Sequence, residues 1–192
     1  LLKDHCRNPW NSNKTAGGSS GGAGSAVAAG FCSIAMGGDA GGSIRIPSSY
    51  NGIFGIKPTQ GRVPNPTSTH NFLSQNGPMT RYVEDAALML EIITGFSSED
   101  PSSLNIPPIK FEDNFWDYSL TDYLQKYYLS KDQLRIAWVD NFGHAKPDSE
   151  VKAKCLNTLS ILENEGHAIT HINIDFGEIF NAWHNLFSVS AY

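Results

Sequence analysis

Thirteen of the chain's 18 glycines fall between Gly17 and Gly61. They cluster in two runs, Gly17-Gly18-Ser19-Ser20-Gly21-Gly22 and Gly37-Gly38-Asp39-Ala40-Gly41-Gly42-Ser43. Glycine reaches positive φ without penalty and lets two stretches of backbone meet with no Cβ between them. A flexible Gly/Ser linker is the simplest alternative. The surrounding sequence is apolar and poor in charge, an odd setting for a linker. The segment therefore calls for a fold in which backbone lines a close approach.

Composition sets the scale. At about 150 residues per domain, 192 residues make one domain or part of one. With 40% hydrophobic and 11% aromatic residues the chain carries a core, which excludes collagen, coiled coil and charged disordered tail. Residues 1–62 hold six bases against two acids, a balance of +4 in a chain whose total is −5. That suits an oxyanion but is too sparse for a nucleic-acid groove, so direct nucleic-acid binding is not expected. No apolar run reaches the ~18 residues of a membrane span, and no basic-then-apolar leader opens the chain. Cys6, Cys32 and Cys155 are odd in number and scattered. They form no disulfide framework, and a cytoplasmic location is expected. The chain starts at Leu1 without Met and ends in an apolar segment at Tyr192. Residues 1–192 are therefore expected to be part of a larger domain, truncated at both ends.

Periodicity predicts a tightly packed helix over 24–36, whose last residues, 33–36, run as a short strand toward a glycine turn at Gly37-Gly38. Residues 41–66 read as loops and short strands. Residues 83–94 are apolar almost all round and predict a buried helix stopped by Gly95. Prolines make 97–117 a surface connection. A strand over 134–139 is followed by a helix over 149–165 with Val151, Cys155, Leu159 and Leu162 on one face. A half-buried strand over 167–174 and a helix from Phe176 complete an α/β order.

Ser19 and Ser43 are 24 positions apart, and the intervening helix can return the chain so that they meet. The N–H groups of Ala40, Gly41, Gly42 and Ser43 are then candidates for an oxyanion hole. Acyl transfer needs a nucleophile beside such donors and a base to activate it. Gly17-x-Ser19-x-Gly21 fits a nucleophile elbow literally, but the elbow must follow a hydrophobic strand and Asn11–Thr15 is polar. Gly22-x-Gly24 lacks the third glycine of a dinucleotide loop. His167 and His171 have Ala168 where a helical zinc motif needs Glu, so no metal is expected. His5, His70, His144 and His184 lack neighbours at ligand spacing. Spacing alone does not decide whether a histidine stands beside Ser43. Phe176, Phe180, Trp183 and Phe187 recur at helical spacing and read as a core-facing stripe rather than an acyl-chain pocket.

Taken together the residues resemble the amidase signature family, hydrolases with a Ser–cis-Ser–Lys triad. The resemblance runs through Arg7-Asn8-Pro9-Trp10-Asn11, the 17–22 run, and the long signature ending Gly41-Gly42-Ser43-Ile44-Arg45-Ile46-Pro47. Gly55-Ile56-Lys57-Pro58-Thr59, Gly61-Arg62-Val63 and Gln75-Asn76-Gly77-Pro78-Met79-Thr80-Arg81 continue it. It is dense over about 7–94 and looser over about 134–192. The resemblance implies a central mixed β-sheet covered by helices. It also implies that Ser43 is the nucleophile and Ser19 the cis-peptide serine that relays a proton. Ser20, Asp39 and Arg45 support the loop, with Arg45 an ion-pair partner rather than a substrate clamp.

The implied reaction is hydrolysis of a small-molecule carboxamide through a seryl acyl-enzyme, without metal or organic cofactor. The family's lysine lies many dozens of residues before its cis-serine, and this chain has no counterpart. Lys3 is only 16 positions before Ser19, Lys57 belongs to a turn, and Lys14 occupies a variable position. The chain by itself is therefore expected to be inactive. Gly38 stands where the family usually has Thr, and Tyr82 where a helix-capping Ser is common. Two other readings are the glutaminase subunit of a tRNA-dependent amidotransferase, with partner subunits, and a catalytically silent binding relative. A homodimer is the expected assembly otherwise.

Overall fold

The structure, a computed structural model, describes residues 5–66, 73–107, 133–142 and 146–190. Lys3, His70, His144 and residues 108–117 lie outside them. The chain divides into two compact units, residues 1–113 with 186–192, and residues 114–185.

In the first unit β1 (Arg7–Asn8) and β2 (Asn11–Thr15) form an antiparallel pair. Helix α1 (Gly21–Ala28) leads into β3 (Ile34–Asp39), and α2 (Arg45–Asn51) into β4 (Phe54–Gly55). Strand β5 (Gln75–Thr80) precedes α3 (Val83–Ile93). The sheet order is β3-β5-β4, antiparallel throughout, with Asp39 opposite Gln75 and Ile34 opposite Thr80. Pro78 sits in the middle strand, where proline is rare. It is tolerated because β4 ends at Gly55, opposite Met79. Beyond that point only the Pro78 carbonyl is used on the β4 side, accepting from Ile56 N at 3.1 Å.

Several local expectations change. The 24–36 helix begins earlier and stops at Ala28, and Gly30 follows at φ 79°. Gly37-Gly38 is not a turn but the interior of β3. Glycine is needed there because a Cβ on Gly37 would stand 2.9 Å from Ile44 Cγ1, Met79 Sδ and Ser20 Oγ. Residues 45–51, expected as loop, form α2. Pro47 lies in its first turn, where the missing N–H costs nothing, and Gly52 closes it at φ 63°. Helix α3 buries one face only, through Ala86, Ala87 and Leu90, while Val83 and Ile92 are exposed. Its N-cap Tyr82 makes no side-chain capping bond. The 97–107 connection is not wholly superficial. Asp100 is buried and accepts from Asn65 N at 2.7 Å and from Ser102 N and Oγ at 2.8 and 2.7 Å.

The second unit contains β6 (Arg135–Trp138), α4 (Ser149–Asn164) and β7 (Ala168–His171), with β6 and β7 parallel and in register Arg135 to Ala168. A parallel pair requires a crossover, which α4 supplies. Asp148 caps α4, accepting from Glu150 N and Val151 N. Of the expected apolar face only Leu159 is buried, and Val151 is exposed. Helix α5 (Ile179–Ser190) ends the described chain. Phe176, Phe180 and Phe187 are exposed rather than core-facing. Helical spacing specifies which residues share a face, not what lies against it. With antiparallel and parallel strands joined by helices, the α/β class is as expected. Among the described residues no helix is long and apolar enough to cross a membrane.

Candidate active site

The two glycine runs meet at one end of the three-stranded sheet. The Gly18–Ser19 peptide bond is cis. Immediately after it, Ser20 N donates to the carbonyl of Ser43 at 3.2 Å. That bond, across 23 positions of sequence, places the Ser19 loop against the turn that leads into α2. Ser20 stands at the N-cap of α1 but does not cap it. Its Oγ faces β3 instead, accepting from Gly38 N at 3.3 Å and donating to Gly38 O at 3.4 Å. Ser19 is exposed and Ser43 half-buried, and the two hydroxyls are not hydrogen-bonded to each other.

Asp39 organises the second loop. Its buried carboxylate accepts from Gly42 N at 2.6 Å, Ile44 N at 3.1 Å and Arg45 N at 3.2 Å. The Arg45 guanidinium adds a two-pronged contact, Nε to Oδ2 at 2.9 Å and an NH2 to Oδ1 at 2.8 Å. Burial pushes the Asp39 carboxyl upward. The Arg45 hydrogen bonds and the three backbone donors outweigh it, so it is held well below the usual carboxylate range. One carboxylate thus closes residues 39–45 into a rigid turn. Because Gly42 N is committed to Asp39, it is not available as an oxyanion donor. Gly41 N and Ser43 N have no protein acceptor among the described residues, which keeps both among the candidate donors.

Arg45 is half exposed, with 57% of its side chain accessible, so the ion pair itself is screened and contributes modestly. Most of the stabilisation lies in the buried carboxylate–amide bonds. Asp39→Asn is expected to lower the unfolding free energy of this unit by about 3 kcal/mol, read by urea unfolding. The pH dependence follows from the sign of the shift. A carboxyl with a lowered native pKa stabilises the fold fully above its unfolded value, 3.8, and the contribution is lost as pH falls further. The gap between wild type and Asp39→Asn therefore narrows below about pH 4.

Three positioning residues were not singled out in the sequence, although Trp10 and Gln75 lie within motifs that carry the resemblance. Buried Asn51 donates from Nδ2 to Ala16 O and Pro47 O, both at 2.8 Å, and so ties α2 to the start of the Ser19 loop. Trp10 Nε1 donates to Asn51 O at 2.8 Å. Gln75, opposite Asp39, accepts from Gly61 N and donates to Val63 O, each at 2.7 Å. As for a base, Lys57 Nζ donates to Pro58 O at 3.1 Å and Lys14 is exposed on β2. His167 lies at the head of β7, where its Nδ1 accepts from Leu134 N at 3.4 Å.

The family model described as Amidase matches residues 3–191. An acylamidase from Rhodococcus erythropolis is 40% identical over 172 residues, 88% of this chain and 34% of the relative. A glutamyl-tRNA(Gln) amidotransferase subunit from Prochlorococcus marinus is 38% identical over 169 residues, 86% of this chain and 32% of the relative. Among solved structures, a bacterial aryl acylamidase of the amidase signature family superposes with a TM-score of 0.76 at 29% identity. It covers 96% of this chain and 37% of its own. The chain thus spans about a third of the length of the curated relatives it matches.

Fold and loops define the class: a mixed α/β protein in which two facing serine–glycine loops join a helix–strand pair. The chain belongs to the amidase signature family.

Proposed function

We propose that this chain is the central part of an amidase domain whose whole protein hydrolyses a linear carboxamide through an acyl-enzyme on Ser43. The observation that carries the reading is the bond from Ser20 N to Ser43 O, which puts the cis Gly18–Ser19 segment beside the start of α2. In this mechanism Ser43 Oγ attacks the amide carbonyl carbon and passes its proton to Ser19, which hands its own to a lysine outside this chain. The carbonyl oxygen becomes an oxyanion facing the N–H groups of Gly41 and Ser43. The C–N bond breaks, and the amine leaves with the returned proton. Water then attacks the ester by the same relay, releasing the carboxylic acid and restoring Ser43. Asp39, Arg45 and Ser20 position the loops and touch no reacting atom.

The experiment is to incubate the whole protein with an acylating active-site probe and locate the added mass by peptide mapping. It is expected on the peptide containing Ser43. A stoichiometric label on any other residue overturns the assignment.

A second reading is favoured by the several glutamyl-tRNA(Gln) amidotransferase subunits among the relatives, at 36–52% identity. Under it the acyl-enzyme forms from glutamine and the ammonia is passed to a partner subunit. Copurification with other subunits separates it from a free-standing, homodimeric amidase.

A further inference from the structure

The first turn of α2 presents three consecutive side chains with three different fates. Arg45 turns back to Asp39, and Pro47 is buried. Ile46, 41% exposed, lies across both serine-bearing loops. A Cβ on Gly17 would stand 3.2 Å from Ile46 Cγ2, and one on Gly42 would stand 2.7 Å from Cδ1 and 3.0 Å from Cγ1. Both glycines sit at positive φ, 76° and 117°. Gly42 thus gives up its side chain where the isoleucine sits. At Gly17 the Pro47 backbone, Cα at 3.0 Å and N at 3.2 Å, crowds the position together with Ile46. One branch of Ile46 lies against the Ser19 loop and the other against the Ser43 loop. A β-branched side chain is stiff about χ1, so this apolar surface is fixed in place three residues after Ser43.

We propose that Ile46 is a specificity-determining residue that selects carboxamides with an extended hydrocarbon acyl group. The proposal rests on the reading of Ser43 as nucleophile. A hydrocarbon acyl chain leaving the Ser43 carbonyl covers Ile46 and removes apolar surface from water. Glutamine, at the distance where hexanamide has methylenes, carries an ammonium and a carboxylate. Against Ile46 those charges would lose water without gaining a partner. The substrate class is therefore an apolar aliphatic or aryl carboxamide rather than an amino-acid amide.

The test compares kcat/KM for hexanamide and propionamide in the whole protein, in wild type, Ile46→Gln and Ile46→Val. The hexanamide-to-propionamide ratio is expected to fall about tenfold in Ile46→Gln, chiefly through KM, with Ile46→Val intermediate. The valine variant keeps the β-branch and serves alone if the glutamine variant does not fold; a fall of about threefold is expected there. A ratio within about 1.5-fold of wild type in each variant that folds overturns the proposal, as does an equal loss of kcat on both amides. Failure of the underlying reading looks different: turnover of both amides would then persist in Ser43→Ala.

Discussion

Replacing Ser43 with alanine in the whole protein is expected to lower amide turnover about 10⁴-fold or more and to abolish covalent labelling by an acylating probe. The fold should survive the change. Ser43 is half-buried, and its structural contact is made by the backbone carbonyl, which accepts from Ser20 N. Alanine keeps that carbonyl, the N–H and the turn held by Asp39. Thermal unfolding within a few degrees of wild type, on the order of 1 kcal/mol, is the accompanying expectation. The pairing of intact stability with lost labelling separates a nucleophile from a loop-building residue. Asp39→Asn, by contrast, loses stability and activity together. Turnover retained in Ser43→Ala, measured by release of ammonia or amine, moves the nucleophile elsewhere.

The second large effect concerns the base. Expressed by itself, the 192-residue chain is expected to show no amide turnover above the uncatalysed rate. A serine hydroxyl is a poor nucleophile until a neighbouring group takes its proton, and that transfer alone is worth about 10²–10⁴ in rate. Lys57 is turned onto Pro58 O and Lys14 is exposed on β2, and among the described residues neither hydrogen-bonds Ser19. Adding the lysine-bearing part of the domain to the isolated chain should restore labelling of Ser43. Turnover by the isolated chain would overturn the assignment of the base.

The class of the fold was legible because it rests on local rules, whereas the residues of the candidate site were named through the resemblance to a family. Gly/Ser runs specify backbone that closes on itself, and the strand–helix–strand rhythm of 134–171 specifies a crossover. The misreadings have equally local causes. Alanines of 24–36 favour helix, yet the helix stops at Ala28 with Gly30 at positive φ after it. The short strand expected over 33–36 does form, as the start of β3, and pairs with β5 from Ile34. Gly37-Gly38 looks like a turn, since sequence does not reveal that Ile44, Met79 and Ser20 crowd the strand from the other side. Pro47 suggests loop, but a proline in a first turn is compatible with helix. Gly42 counted as an oxyanion donor until the carboxylate of Asp39 was placed on its N–H.

By itself the sequence determined which side chains and which glycines the candidate site is drawn from, and in what order, because residue type and spacing are one-dimensional facts. Only the tertiary structure decided what each backbone N–H faces. Asp39 takes Gly42, Ile44 and Arg45, Asn51 fastens α2 to the Ser19 loop, and Ile46 spans both loops. The physical reason is that a hydrogen bond or an apolar contact depends on distances of about 3–4 Å between residues far apart in the chain. No spacing rule carries that information until helices and strands have brought them together.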